Sequence, residues 1–228
     1  MGHLRTYFAS ATLLATLVSS SALADPEIDE LEALPANTLI QRVRSTGGFS
    51  QYSLGNGGCL NVTLLINVGR LKQQDPPAAP VNSKLIFVQY SSEDACTAGK
   101  ITRSGGELRL LDANPEVPLT LDAMSTRRVT RTLTTRECVE IDHKFTCRAG
   151  APIALDLTVQ WVPTEEASRS SARSQTPNGD HYDITRYLNL NRPAVATLQG
   201  TLGARTLNEQ DPTAYMTDVL NVVATAPR

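Results

Sequence analysis

The sequence predicts an all-β protein: an antiparallel β-sandwich, jelly-roll or immunoglobulin-like, of about ten to twelve strands, stapled by disulfides. Three observations predict it. Ile153, Leu155, Leu157, Val159 and Trp161 occupy alternate positions, with Asp156, Thr158 and Gln160 between them. Leu60, Val62, Leu64, Ile66 and Val68 repeat the pattern. Side chains alternate across a strand, so each run offers one face to a core and one to water. The third observation is four cysteines behind an export-type leader, which read as two disulfides.

Residues 1–24 have the form of a signal peptide. Arg5 gives a short basic start, Tyr7 to Val18 is mostly apolar, and Ala22-Leu23-Ala24 fits the small-x-small rule for cleavage after Ala24. The apolar run is shorter than the ~20 residues of a membrane span. A secreted or periplasmic chain is therefore expected, with no membrane span. Removing Arg5 from 21 basic residues leaves 20 against 23 acidic ones, a net charge of −3. That balance gives no reason to expect nucleic acid or an anionic membrane surface as partner. Aromatic residues make up only 5% of the chain, so the core must be built from Leu, Val and Ile.

Residues 25–37 are acidic, contain two prolines and lack a strand period, which suggests a flexible N-terminal arm. A single sandwich domain is expected over 38–228. Gly47-Gly48 reads as a hairpin or bulge between Leu39–Arg44 and Phe49–Leu54, and Asn56-Gly57-Gly58 as a turn. Gln73 to Asn82 contains three prolines and reads as a loop. Lys84 to Tyr90 is apolar on both faces and is expected to be buried on both. A short strand follows at Glu107–Leu111, then a turn at Asn114–Pro118 and a strand at Leu119–Met124. The Thr- and Arg-rich run Thr126–Thr135 is assigned near an edge. Pro163–Gly179 is polar and aperiodic, and composition favours a disordered loop. Tyr182, Ile184, Leu188 and Leu190 resume alternation, Asn191-Arg192-Pro193 reads as a turn, and strands follow at Ala196–Leu202 and Tyr215–Ala224.

The favoured pairing is Cys59–Cys96 and Cys138–Cys147. A two-residue turn at Asp142-His143 would set Cys138 and Cys147 directly opposite, where strands approach closely. The apolar pattern of Val139, Ile141 and Phe145 instead favours a three-residue turn, so the register stays open.

Candidate chemistry is sparse. His143 between Cys138 and Cys147 supplies zinc-ligand residue types, but those thiols are expected to oxidise to each other. Asn178-Gly179-Asp180-His181-Tyr182-Asp183 is the densest polar cluster. Asp180 and Asp183 are weak candidates for Ca²⁺, although the spacing matches no EF-hand loop. His181 with these aspartates lacks a nucleophile elbow, and no HExxH, phosphate loop or dinucleotide fingerprint occurs. Asp156, mid-strand, is the most interesting single carboxylate, with pairing to an arginine among Arg127–Arg136 as the plainer role. Arg127, Arg128, Arg131 and Arg136 are expected to be neutralised by Glu137, Glu140 and Asp142. No cofactor is expected.

The sequence therefore favours a secreted binding or interaction module, without catalysis, for a carbohydrate or protein ligand. A hydrolase using Asp156, Asp180, His181 or Asp183 in a groove is the rival. An envelope or coat protein with exposed sheet edges is the third reading. For a glycan binder, some of Tyr52, Tyr90, Tyr182, Tyr187 and Tyr215 must be exposed.

Overall fold

The alternation in the sequence becomes burial once the strands are paired. The structure, a computed structural model, describes residues 38–55, 58–111, 119–126 and 128–227. These form thirteen antiparallel strands, one of only two residues. They are β1 (Leu39–Ser53), β2 (Leu60–Gln74), β3 (Val81–Thr97), β4 (Lys100–Leu111), β5 (Met124–Ser125), β6 (Val129–Leu133) and β7 (Arg136–Ile141). Then follow β8 (Lys144–Ala149), β9 (Ile153–Pro163), β10 (Ser168–Asn178), β11 (His181–Leu202), β12 (Arg205–Asp211) and β13 (Tyr215–Pro227). Hydrogen bonds run in the order β5-β9-β11-β13-β1-β2-β3-β4-β7-β8, with β10 and β12 beside β11 and β6 beside β9.

The long strand β11 joins two layers. Its first part, His181–Pro193, lies between β10 and β13. Its second part, Ala194–Leu202, lies between β9 and β12. The β9–β11–β12 end folds over β1–β4. β6 pairs with β9 and β7 with β4, and only Thr134-Thr135 separates them. One run of chain thus bridges the two margins of the curled sheet. Gly106 permits that closure, since a Cβ there would stand 2.4 Å from the Thr134 carbonyl oxygen.

The two stripes read from sequence face each other across the core. Leu64, Ile66 and Val68 of β2 share one apolar cluster with Leu155, Leu157, Val159 and Trp161 of β9. Each such side chain contributes roughly 1.5–3 kcal/mol by leaving water. Gly48 is part of the same fit. A Cβ on it would come 2.5 Å from the Met124 sulfur and 3.1 Å from the Trp161 ring. The indole lies across the strand there, and its Nε1 donates to the Phe49 carbonyl at 3.1 Å.

Several expectations fall to this arrangement. Gly47-Gly48 is no turn: β1 passes straight through it, because the missing side chains admit Trp161 on one face and a close β2 backbone on the other. Asn191-Arg192-Pro193 is no turn either. Pro193 accepts from the Thr164 amide, so its missing N–H faces the break between β9 and β10, where no ladder bond is lost. Pro163–Gly179 is not a disordered loop. Ser168–Asn178 is an edge strand paired along its full length with β11, and all eleven of its residues are exposed, which is why it has no apolar period. Leu119–Met124 is a bridge closing a tight turn rather than a strand. β3 buries only the Ile86 and Val88 face, leaving Leu85 and Phe87 half-buried. The readings for 1–24, 25–37, Asn56-Gly57, Asn114–Pro118 and Arg127 lie outside the described residues.

Both disulfides form as paired from sequence, and two bridges are consistent with an oxidising, extracellular environment. Cys138 stands directly opposite Cys147, with Cα atoms 4.0 Å apart, and the turn is the two-residue one. Asp142 and His143 both take positive φ (49° and 61°), the backbone twist that lets a two-residue turn follow its strands. Val139 and Ile141 accordingly face away from Phe145 and Cys147.

Candidate functional site

The titratable residues singled out from sequence do not converge. Asp156 sits on β9 opposite Thr201, whereas His181 begins the same β11 twenty positions earlier. That is roughly 65 Å of strand. Asp156 is occupied by Arg128, which donates to both carboxylate oxygens at 2.6 and 2.5 Å. These bonds hold the Asp156 carboxyl below its usual range. The plainer role weighed for it is the one found.

Asp180 and Gly179 form the tip of the β10–β11 hairpin, with Asn178 opposite His181. Asn178 donates to Asp183 at 2.8 Å, and His181 stands 3.6 Å from the other Asp183 oxygen. The cluster is a turn with its local polar contacts. Among the described residues no three His, Cys, Asp or Glu side chains are grouped to hold a metal. The thiols flanking His143 are joined to each other, so the zinc set is lost to the disulfide. Neutralisation of the arginine run is also reassigned. Glu137 pairs with Arg148 across the β7–β8 hairpin and Glu140 with Arg103 of β4, so both carboxylates take arginines outside the run.

A different site emerges on the outer face of the sheet, where strand registers stack side chains in rows. One row is Tyr215, Phe49, Asn67, Phe87 and Arg109 on successive strands. The next is Thr217, Gly47, Gly69, Leu85 and Leu111. The third is Val219, Ser45, Leu71 and Ser83. With two glycines side by side, the middle row is a trough between two ridges. It encloses a groove of about 490 Å³ and crosses five strands, roughly 19 Å.

One wall is aromatic, and Arg70 is the one charged residue that lines the groove. Phe49 and Tyr215 stack with centroids 5.2 Å apart and planes 23° from parallel, and Tyr215 remains 39% exposed. Further along the same row, Arg109 lies over the Phe87 ring at 5.4 Å. Asn67, Thr217, Ser45 and Ser83 supply uncharged hydrogen-bonding groups. The two glycines are not equivalent. A Cβ on Gly47 would strike the Val68 carbonyl oxygen at 2.8 Å, whereas on Gly69 the nearest atom is 3.5 Å away. Gly47 is required by the backbone, while Gly69 only keeps the trough open.

Sequence reasoning missed this groove because it treated the glycines as punctuation. A glycine inside a strand pattern also signals a hollow or a close approach, and Gly69 after the Leu60–Val68 stripe carried that signal. The chain matches no protein-family model and no curated protein.

Proposed function

We propose that this protein is a non-catalytic binding module whose outer-face trough takes an uncharged glycan segment. The observation that carries the reading is the stacked Phe49–Tyr215 pair flanking the Gly47–Gly69 floor. Exposed rings offer flat apolar area to a ligand at small entropic cost, and the surrounding hydroxyl and amide groups match neutral hydroxyls better than charges. The floor is a pleated sheet braced from beneath by the core, so the walls are held before a ligand arrives. The contacts lie on a sheet face rather than on end loops. Two of the five tyrosines that a glycan binder would draw on, Tyr187 and Tyr215, are exposed.

The test is a screen of neutral and anionic glycans with three proteins: the unaltered chain, Gly69→Val and Tyr215→Ala. Gly69→Val fills the trough without a backbone clash. Binding of a neutral glycan, weakened about tenfold or more in both variants (roughly 1.4 kcal/mol), is the expected result. Binding that persists in both variants, or none to any neutral glycan, would sink the reading.

A further inference from the structure

The outer face carries a second hollow, at the other end of the same strands. Thr63, Ser91, Gly105 and Arg136 stand opposite one another on β2, β3, β4 and β7. Thr63 lies six residues before Gly69 along β2, roughly 20 Å away, and alternation sets both on the outer face. The row lines a groove of about 590 Å³, within the size range of small-ligand sites. Unlike the trough, it is lined by no aromatic side chain among the described residues.

Gly105 keeps this groove open. A Cβ there would find its nearest atom, the Tyr90 carbonyl oxygen, at 3.7 Å, so the backbone would accept a side chain. The strand across from it is fixed as well. Cys138, two residues beyond Arg136 and on the same face, lines the groove and is bridged to Cys147.

The charges around the hollow leave one cation over. Arg103 holds Glu93 at 2.7 Å and Glu140 at 3.1 Å, and Arg109 stands 3.5 Å from Glu107. Arg103 is thereby pinned as one wall of the groove, with the Phe145 ring 5.8 Å from its guanidinium. Alternation puts Glu137 on the opposite face from Arg136, and there it takes Arg148 at 2.6 Å. The carboxylates expected to neutralise Arg136 are therefore engaged elsewhere. Its guanidinium is exposed and has no ion pair or side-chain hydrogen bond among the described residues.

We infer that this groove binds one hexuronate residue of an acidic glycan, its carboxylate on Arg136 and its ring hydroxyls on Ser91, Thr63 and Asn61. The planar guanidinium fork matches a carboxylate with two parallel hydrogen bonds. The Ser and Thr hydroxyls and the Asn amide both donate and accept, as sugar hydroxyls do. A single negative charge suits the surroundings, whereas a dense polyanion would meet Glu93, Glu107 and Glu140 at close range. The groove is separate from the Gly47–Gly69 trough, so the inference does not depend on what the trough takes.

Calorimetric titration with oligomers of galacturonate, glucuronate and mannuronate tests it on four proteins: the unaltered chain, Arg136→Gln, Gly105→Val and Gly69→Val. At least one uronate oligomer is expected to bind the unaltered chain and Gly69→Val equally. Its affinity should fall about tenfold or more in Arg136→Gln and in Gly105→Val, the scale of a lost charge-assisted contact. A far-UV spectrum of each variant separates loss of the site from loss of the fold, and the exposed Arg136 position decides if Gly105→Val alters the fold. Binding of none of the three oligomers by the unaltered chain would overturn the inference. So would uronate binding that survives Arg136→Gln undiminished, or that is lost in Gly69→Val. The trough reading stands or fails on neutral glycans alone, so the two results are read apart.

Discussion

The two halves of β11 belong to one strand yet behave as different proteins would. From Ala194 to Leu202 it is flanked by β9 and β12, and Ala194, Ala196, Leu198 and Leu202 are buried against a facing layer. From His181 to Pro193 its outer neighbour is β10, a strand of Ser, Arg and Gln with every residue exposed. Backbone pairing is equally complete in both halves. Their stability should nonetheless differ, because burial of apolar area, not the ladder, supplies most of the net driving force. Hydrogen bonding gives a strand its shape; a facing layer gives it stability.

The sharpest way to break the comparison is at Gly200 in the packed half. Its φ is 136°, and a Cβ would stand 1.9 Å from the Asp156 carbonyl oxygen. Gly200→Ala is expected to cost about 4 kcal/mol or more, read as a fall in urea midpoint or failure to express. A strictly paired contrast comes next. Leu157→Ala, on β9 opposite Gly200 of the packed half and 1% exposed, should cost about 2–5 kcal/mol. Ser174→Ala, on the exposed edge strand, should stay within about 0.5 kcal/mol. Equal losses at the two sites would show that pairing rather than packing dominates.

The smallest effect concerns the floor of the core. Burial pushes the Tyr52 hydroxyl above its ordinary value of 10.0. A raised folded value means that stability is fully present below pH ~10 and is lost as pH climbs toward the folded value. Tyr52 Oη is buried beside the Ser50 hydroxyl and, among the described residues, makes no regular hydrogen bond. Tyr52→Phe should therefore change stability by less than about 1 kcal/mol at pH 7 and flatten its decline above pH ~10. Urea midpoints across alkaline pH would check both.

The same contrast explains what was readable beforehand. The Leu60–Val68 and Ile153–Trp161 stripes were legible because each has one face against apolar side chains, which imprints a period of two. Ser168–Asn178 left no such imprint: neither face packs, and its order comes from ladder bonds to β11, which any sequence can make. Gly47, Gly48 and Pro193 were misread as turns for a related reason. A turn and a close contact ask for the same residues, and local sequence does not distinguish them.

The sequence by itself determined the antiparallel all-β class and the central pair of strands, which follow from alternation, and it favoured the cysteine pairing without deciding it among the three possible connectivities. Only the tertiary structure decided the outer trough, the hollow at Gly105 and the isolation of Asp156 from His181. Each of those depends on which strands lie side by side and in what register. Register is set by long-range packing of one face against another, and a shift of one residue would turn every side chain to the opposite face.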